Sequence, residues 1–478
     1  MRVLLSVADR SGLVDLVHAL RERGAEILAD EPTRAALAED GLQVTQAPRP
    51  LPALHEAGVD LLIANLPALP AGPGVLPVDE LAGRIDPERV ALIVAAARDL
   101  PGVAVVTEPR RYRELLDELA RHDTVSSELR VRLAAEALAH VAERTAEAAA
   151  VLQRLAGGRF PERLPIVLHR ERALAYGQNP HQEAALYRVG ERQAGTLVGA
   201  TLLQGGAPTF NDLLDLDAAW RIARDFGGPT CAIVKQQDPV GLATNETAVV
   251  AYRRAVEGDP VGAIGAVLAL NRIVDAETAG EVALGSYEAL LAPGFAPEAR
   301  AILAERPQLA LLALGEPAGP AAEHPAAELE LRRIDGGILV ETRDRLEMEH
   351  DALRVVTQRR PTLEELTDLL FAWRAVRHAR STAVVLARHA ALVGVGAGQA
   401  SRLAATELAL HRAGERADHA ALAADAYFPF ADAIVLAAER GVTAIIQPGG
   451  SVRDEMAVEV ADRHHLAMVF TGRRHYRR

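Results

Sequence analysis

The shortness and regular spacing of its apolar runs limit what this chain can fold into more than any other feature. Val3-Leu4-Leu5-Ser6-Val7 has the length of a buried strand. Leu13, Leu16, Val17 and Leu20 then recur at helical spacing, Gly24 follows as a C-terminal cap, and Ile27-Leu28 resumes the strand pattern. That is a βαβ opening. Leu61-Leu62-Ile63 and Val103-Ala104-Val105-Val106 repeat the strand signal on either side of the apolar helical stretch Val90–Ala97. Together they predict a small doubly wound parallel sheet, covered on both faces and ending near Glu118. Runs such as Val90–Ala97 and Ala431–Ala438 are far shorter than the roughly 20 apolar residues of a membrane helix. The polar Ala8-Asp9-Arg10 cuts off the opening run too early for a secretory leader, so a cytoplasmic protein with no membrane partner is expected.

A length of 478 residues favours two or three domains at about 150 residues each. Ser126 to Leu155 is rich in Ala, Leu, Glu and Arg and free of Gly and Pro. It carries Leu129, Leu133, Ala137, His140 and Val141 on one face, which predicts a long helix. Gly157-Gly158 breaks it. The expected organisation is a first domain over 1–118, a helical connector over 119–163 and a larger α/β region over 164–478. That region closes with the strand Thr443-Ala444-Ile445-Ile446, the loop Gln447-Pro448-Gly449-Gly450-Ser451, a helix and the run Leu466–Phe470. The Pro/Ala/Glu-rich patch at 316–328 reads as a surface loop, and no internal repeat stands out.

Sixty-five Asp and Glu against 52 Lys and Arg give a net charge of −13, which argues against a nucleic-acid partner whose phosphates need a basic face. Any anionic ligand must be held by a local basic site. The lone Cys231 excludes an intrachain disulfide framework and any Cys-rich metal site. No His, Asp and Glu spacing predicts a metal centre either.

Five segments place polar, Gly or Pro residues beside apolar runs, where sites tend to form. They are Ala175 to Gln182, Leu203 to Asp212, Ile233 to Gly241, Val393 to Arg402, and Tyr427-Phe428-Pro429-Phe430. Singly they say little. Gly394 to Gly398 could bring backbone N–H groups to an anion, but a tight turn is the commoner meaning of such a run. Lys235 after Ile233-Val234 could act on a substrate, although a bare lysine is usually a solvated charge. His181 and His475 read equally well as satisfied histidines.

In this order and spacing the five segments resemble the bifunctional purine-biosynthesis enzymes AICAR transformylase/IMP cyclohydrolase. Further matching stretches are Asp259-Pro260 through Asn271-Arg272, Glu288 to Pro293, Gln447 to Glu455 and Phe470-Thr471-Gly472. The likeness covers Leu168 to Arg478 well and residues 1–155 more thinly. It implies a methylglyoxal-synthase-like N-terminal domain, followed by a transformylase region of two cytidine-deaminase-like α/β units without catalytic zinc. It also implies formyl transfer from 10-formyltetrahydrofolate to the 5-amine of a ribotide, ring closure to IMP, and a homodimer with transformylase sites at the subunit interface.

Several family positions are kept. The resemblance makes Lys235 and Gln236 the catalytic candidates. It makes Tyr176, Gly177, Asn179, His181, Asn211, Gly265, Glu288, Thr382, Gln399, Arg402, Phe428, Pro429 and Arg474 the candidates for binding nucleotide and folate. Other positions have changed. The family's Val-Lys-His-x-Asn-Pro-Cys-Gly loop carries Gln236 for the histidine, Asp238 for the asparagine and Val240 for the cysteine. Ala175 replaces an arginine, Thr382 an asparagine and Arg478 a terminal histidine. In the first domain the Ser-Thr-Gly-Gly-Thr phosphate loop reads Ala29-Asp30-Glu31-Pro32-Thr33, and the lysine-bearing segment is missing between Val44 and Val59. Phosphate should be repelled there, which makes that domain structural. Three readings stay open: a divergent transformylase, a non-catalytic nucleotide-binding or regulatory paralogue, and a formyltransferase of a specialised pathway. A neighbour such as His378 or His475 could stand in for the lost histidine.

Overall fold

A computed structural model describes residues 1–48, 54, 57–68, 84–190, 193–315, 329–344 and 353–478. The patch at 316–328 lies outside them. The chain forms two compact units, one built on Met1–His169 and the other on Arg170–Ala321 with Glu330–Arg478.

The first unit holds strands β1 (Arg2–Ser6), β2 (Glu26–Ala29), β3 (Thr45–Gln46), β4 (Leu61–Ala64) and β5 (Ala104–Val106). They pair in the order β3-β2-β1-β4-β5, all parallel. Alternate side chains go to opposite faces. Val3, Leu5, Leu61 and Ile63 pack with helices Leu13–Glu22 and Tyr112–His122, while Leu4 and Leu62 pack with helix Pro87–Arg98. Helix Ser127–Leu155, the expected connector, belongs to this unit. Leu129 and Leu133 join the first face, Ala134 and Ala137 the second, and His140 Nε2 accepts from Leu66 N at 2.9 Å. The expected boundary at 118 falls inside helix Tyr112–His122, and the compact unit continues to His169 because the long helix helps to cover its sheet.

In the second unit, β6 (Leu168–Leu174) and β7 (Ala184–Val189) make a two-stranded sheet, as do β14 (Leu329–Ile334) and β15 (Gly337–Thr342). Its large sheet contains β8 (Thr201–Gln204), β9 (Thr230–Lys235), β10 (Asp238–Thr244), β11 (Ala266–Leu270), β12 (Tyr287–Ala292) and β13 (Ala310–Ala313). It also contains β16 (Arg354–Val355), β17 (Val384–Arg388), β18 (Ala391–Gly396), β19 (Ala421–Ala424), β20 (Ala444–Gln447) and β21 (Ala467–Phe470). Among the described residues the order is β16-β21-β20-β19-β17-β18-β10-β9-β11-β12-β13-β8. One core cluster runs beneath both halves.

The expectation of no internal repeat is corrected here. In one half β9 is antiparallel to β10 and β11, with β11, β12 and β13 parallel; β17, β18, β19, β20 and β21 repeat that pattern. A helix with a capping box precedes each hairpin, Phe210–Ala223 opened by Thr209 and Asp212, and Leu363–Val376 opened by Thr362 and Glu365. The repeat is plainest in the helices, where Leu-x-x-Ala-Trp-Arg-x-x-Arg recurs at 216–224 and 369–377, and it fades in the strands, where most core side chains differ.

Gly394 and Gly396 lie within β18 rather than in an anion-binding loop. A Cβ at Gly396 would stand 1.9 Å from Ala405 O, and one at Gly394 2.2 Å from Ala409 O, so these glycines let helix Arg402–Ala413 sit directly on the strand. Gly396→Ala is therefore expected to destabilise the protein by about 1–3 kcal/mol through overpacking. Gly280→Ala, in helix Ala276–Leu284 with nothing within 4 Å of the new Cβ, should stabilise it by about 0.5–1 kcal/mol. Urea titration of both variants checks the pair of signs.

Candidate functional site

Lys235 ends β9, and Gln236 and Gln237 form the two-residue turn into β10, with φ of 53° and 66°. Two successive left-handed residues make the hairpin turn whose twist suits the strands, a position that usually selects Asn or Gly. Here a carboxylate fixes it. Asp215 Oδ2 accepts from Gln236 N at 2.9 Å and Oδ1 from Gln237 N at 2.7 Å. Burial pushes the Asp215 carboxyl up, and Asp212 and Asp238 add to that, although the two amide bonds oppose it. Lys235 Nζ donates to Ile264 O at 2.6 Å. Gly265, next in sequence, has φ +68°, and a Cβ there would lie 3.8 Å from Glu288 Oε1.

Helix Phe210–Ala223 links this hairpin to the loop between β6 and β7. Asn211, one turn before Asp215, donates from Nδ2 to Gln178 O at 3.3 Å. Within that loop Gly177 N donates to Gln182 O at 2.8 Å and Asn179 N to Gln182 Oε1 at 2.9 Å, leaving His181 exposed and Tyr176 half-buried. The other half of the sheet meets the hairpin at two points. Asp238 takes Arg380 in a bidentate pair, 2.8 Å from Nε and 2.7 Å from Nη2, and Arg477 Nη1 donates to Gln237 O at 2.9 Å. Beyond Arg380, Thr382 and Gln399 exchange backbone hydrogen bonds at 3.2 Å each way.

Arg402 and Phe428 are enclosed within the chain, 6% and 1% exposed, with the guanidinium 5.9 Å from the ring centroid. Arg402 pairs with Asp425 at 2.6 Å and donates to Ala383 O. Pro429 accepts from Arg453 Nη1 at 3.2 Å, and exposed Arg474 lies over Tyr476 at 4.7 Å. The structure thus brings Tyr176, Gly177, Asn179, Asn211, Lys235, Gln236, Gly265 and Glu288 around one hairpin, with Thr382 and Gln399 following from Arg380. Arg402 and Phe428 form a buried pair, and Asp425 ties Arg402 to the segment that carries Arg474, its backbone oxygen accepting from His475 N at 3.0 Å.

Neither candidate substitute histidine is free. His378 Nε2 donates to Asp225 Oδ2 at 2.5 Å, and Arg377 also binds that carboxylate. Burial works against the Asp225 charge, but His378 and Arg377 outweigh it and hold this carboxyl below its usual range. Burial holds the His378 imidazole neutral to lower pH than usual. His475 Nδ1 donates to Asp344 Oδ2 at 2.6 Å beneath Trp373, and among the described residues its Nε2 has no hydrogen-bond partner.

The profile of a family described as the AICARFT/IMPCHase bienzyme matches residues 96–412. The bifunctional purine biosynthesis protein PurH of Desulfitobacterium hafniense is 38% identical over 520 residues, covering 100% of this chain and 99% of its own. This chain belongs to the AICARFT/IMPCHase family. The PurH protein of Sorangium cellulosum is 39% identical over 524 residues, with 100% and 99% covered. AICAR transformylases of the family take 10-formyltetrahydrofolate as co-substrate. The crystal structure of ForH is 21% identical over 33% of this chain and 99% of its own, at a TM-score of 0.29, too slight a likeness to support any argument.

In the family's first unit the altered loop has a geometry that sequence alone does not give. Asp30 caps helix Glu31–Glu39, with Oδ1 accepting from Thr33 N at 2.8 Å and Oδ2 from Ser6 Oγ at 2.6 Å. Arg89 Nη2 reaches Oδ2 at 3.2 Å, and Asp30 and Arg89 are both buried. The repulsive carboxylate is therefore itself the bound anion of a helix N-terminus. Burial raises the Asp30 carboxyl, but Ser6, Thr33 and Arg89 outweigh it and hold it below its ordinary value. A depressed folded value stabilises fully above the unfolded carboxyl value of about 3.9 and fades as pH falls through the folded one. Asp30→Asn should flatten this acid limb and cost about 3 kcal/mol at pH 7, because buried Arg89 is left with only Asp86, at 3.6 Å, as counter-charge. Urea unfolding between pH 3 and 7 measures both effects.

Proposed function

We propose that the larger unit transfers a formyl group from 10-formyltetrahydrofolate to the 5-amino group of AICAR or a related nucleotide, and that IMP cyclohydrolase activity has been lost. The observation that carries the first part is the assembly of Lys235, Gln236, Asn211, Gly265 and Glu288 around one clamped hairpin. The co-substrate supplies a formyl carbon on nitrogen. In the transfer a bond forms from the amine nitrogen to that carbon, the old carbon–nitrogen bond breaks, and the proton that the amine loses is balanced by one gained on the departing tetrahydrofolate nitrogen.

Lys235 donates to the oxygen that gains charge at the formyl carbon. The Gln236 side chain can donate or accept a hydrogen bond, but it takes up no proton at neutral pH. Arg474 meets the nucleotide phosphate, and Pro429, next to the buried Phe428, backs the pterin ring. The fold reading is a methylglyoxal-synthase-like first unit and two cytidine-deaminase-like units within the second; the duplicated strand order supports the latter. A cytoplasmic homodimer with its sites at the subunit interface completes the reading; the exposed Val261, Ile264 and Leu284 support the interface, since Ile264 also supplies the acceptor of Lys235. No described helix is long and apolar enough to cross a membrane.

A second reading, a non-catalytic nucleotide-binding paralogue, is favoured by the engagement of both His378 and His475 with aspartates. Formyl-transfer assays with 10-formyltetrahydrofolate and AICAR separate the two. Wild type should turn over slowly, and Gln236→His should raise the rate at least tenfold, within the roughly 10²–10⁴-fold that acid–base help provides. Full recovery is not expected, because Ala175, Thr382 and Arg478 have changed as well. Nucleotide binding by calorimetry without turnover in either protein identifies the paralogue.

Cyclohydrolase loss rests on Asp30, whose carboxylate fills the helix N-terminus of the first unit. Incubation of the purified protein with the formylated ribotide should show no ring closure above background. Saturable turnover there overturns this part.

A further inference from the structure

We propose that Asp215 is the positioning residue of the transformylase site: its carboxylate holds the Gln236-Gln237 turn left-handed and so sets where Lys235 and Gln236 point. The inference rests on the reading of this hairpin as the site and adds the residue that gives it shape.

Left-handed backbone at a residue with a Cβ costs about 1 kcal/mol or more, and this turn requires it twice, without Asn or Gly. Something outside the turn must hold it. Both carboxylate oxygens of Asp215 are spent on the two turn amides, at 2.9 and 2.7 Å, and charge-assisted bonds of this kind are about twice as strong as neutral ones. The helix carrying Asp215 is itself fixed by the Thr209–Asp212 capping box, so the clamp has a rigid base.

The duplicated half contains the same device away from the site. Asp368 accepts from His389 N at 2.9 Å and from Ala390 N at 2.7 Å, at φ of 53° and 52°. Arg388 donates to Asp418 O at 3.0 Å, as Lys235 does to Ile264 O. The molecule therefore includes its own control: two equivalent clamps, of which Asp215 alone orients Lys235.

The test compares wild type, Asp215→Asn, Asp368→Asn and Asp215→Asn/Gln237→Gly, using calorimetric AICAR binding and hydrogen exchange at the turn amides. Asn offers one acceptor oxygen instead of two, so each single variant should speed exchange at its own turn. AICAR affinity should fall about tenfold or more in Asp215→Asn, the size of one charge-assisted hydrogen bond, and stay within about twofold in Asp368→Asn. Glycine at 237 adopts the left-handed conformation without strain, so the double variant should recover most of the affinity. Equal loss of affinity in both single variants, or none in Asp215→Asn, overturns the proposal. If Asp215→Asn does not fold, the double variant is compared with Gln237→Gly for exchange at the turn amides, where faster exchange in the double variant supports the clamp and equal exchange overturns it. Failure of wild type to bind AICAR defeats the functional reading instead. Exchange at Gln236 and Gln237 then decides the clamp: faster exchange in Asp215→Asn supports it and unchanged exchange refutes it.

Discussion

The larger unit depends on how its two halves are joined, and Asp225 is central to that junction. β10 and β18 share a single registered pair, Ala243 with Ala391, so the sheet ladder alone ties the halves weakly. Asp225, just past the first repeat's helix, receives Arg377 and His378, which follow the second repeat's helix. Thr209 and Thr362 cap those helices, and counting from each cap puts Asp225 and His378 at equivalent positions. Equivalent residues of the two copies thus carry opposite chemistry and bind each other across the junction. Above a continuous apolar core, a half-buried carboxylate held by one guanidinium and one imidazole favours one docking of the halves over nearby alternatives, because losing Arg377 leaves the Asp225 charge without its counter-charge.

Much of this architecture is legible in the sequence. The βαβ opening, the long helix to Leu155 and the closing strand–loop–helix–strand all follow from the spacing of Leu, Val and Ile, since burial enforces periodicity. The duplication was harder to see. Its signature is Thr209-x-x-Asp212-x-x-Asp215 set against Thr362-x-x-Glu365-x-x-Asp368, each followed by a two-residue turn, and those polar positions do their work through backbone contacts that periodicity does not register.

The candidate site divides in the same way. Residue types and order pointed to Lys235, Gln236 and Asn211, but not to Asp215, which looks like one acidic residue among several on a helix. The sequence offers Arg402 as a ligand contact but does not show its partner Asp425, 23 residues later, which holds it inside. Asp238, one of the changed positions, gains its meaning in three dimensions, because it faces Arg380. A sequence read position by position shows each substitution without its partner.

Asp30 makes the first unit insensitive to its surroundings. An anion from solution gains occupancy as its concentration rises and loses it on dilution, whereas a carboxylate three bonds from the backbone is present at the same local concentration under all conditions. Ser6, Thr33 and Arg89 are thus permanently satisfied. A competing phosphate must displace a ligand that never diffuses away. The anion at this helix N-terminus is thus part of the covalent structure, and dilution cannot remove it.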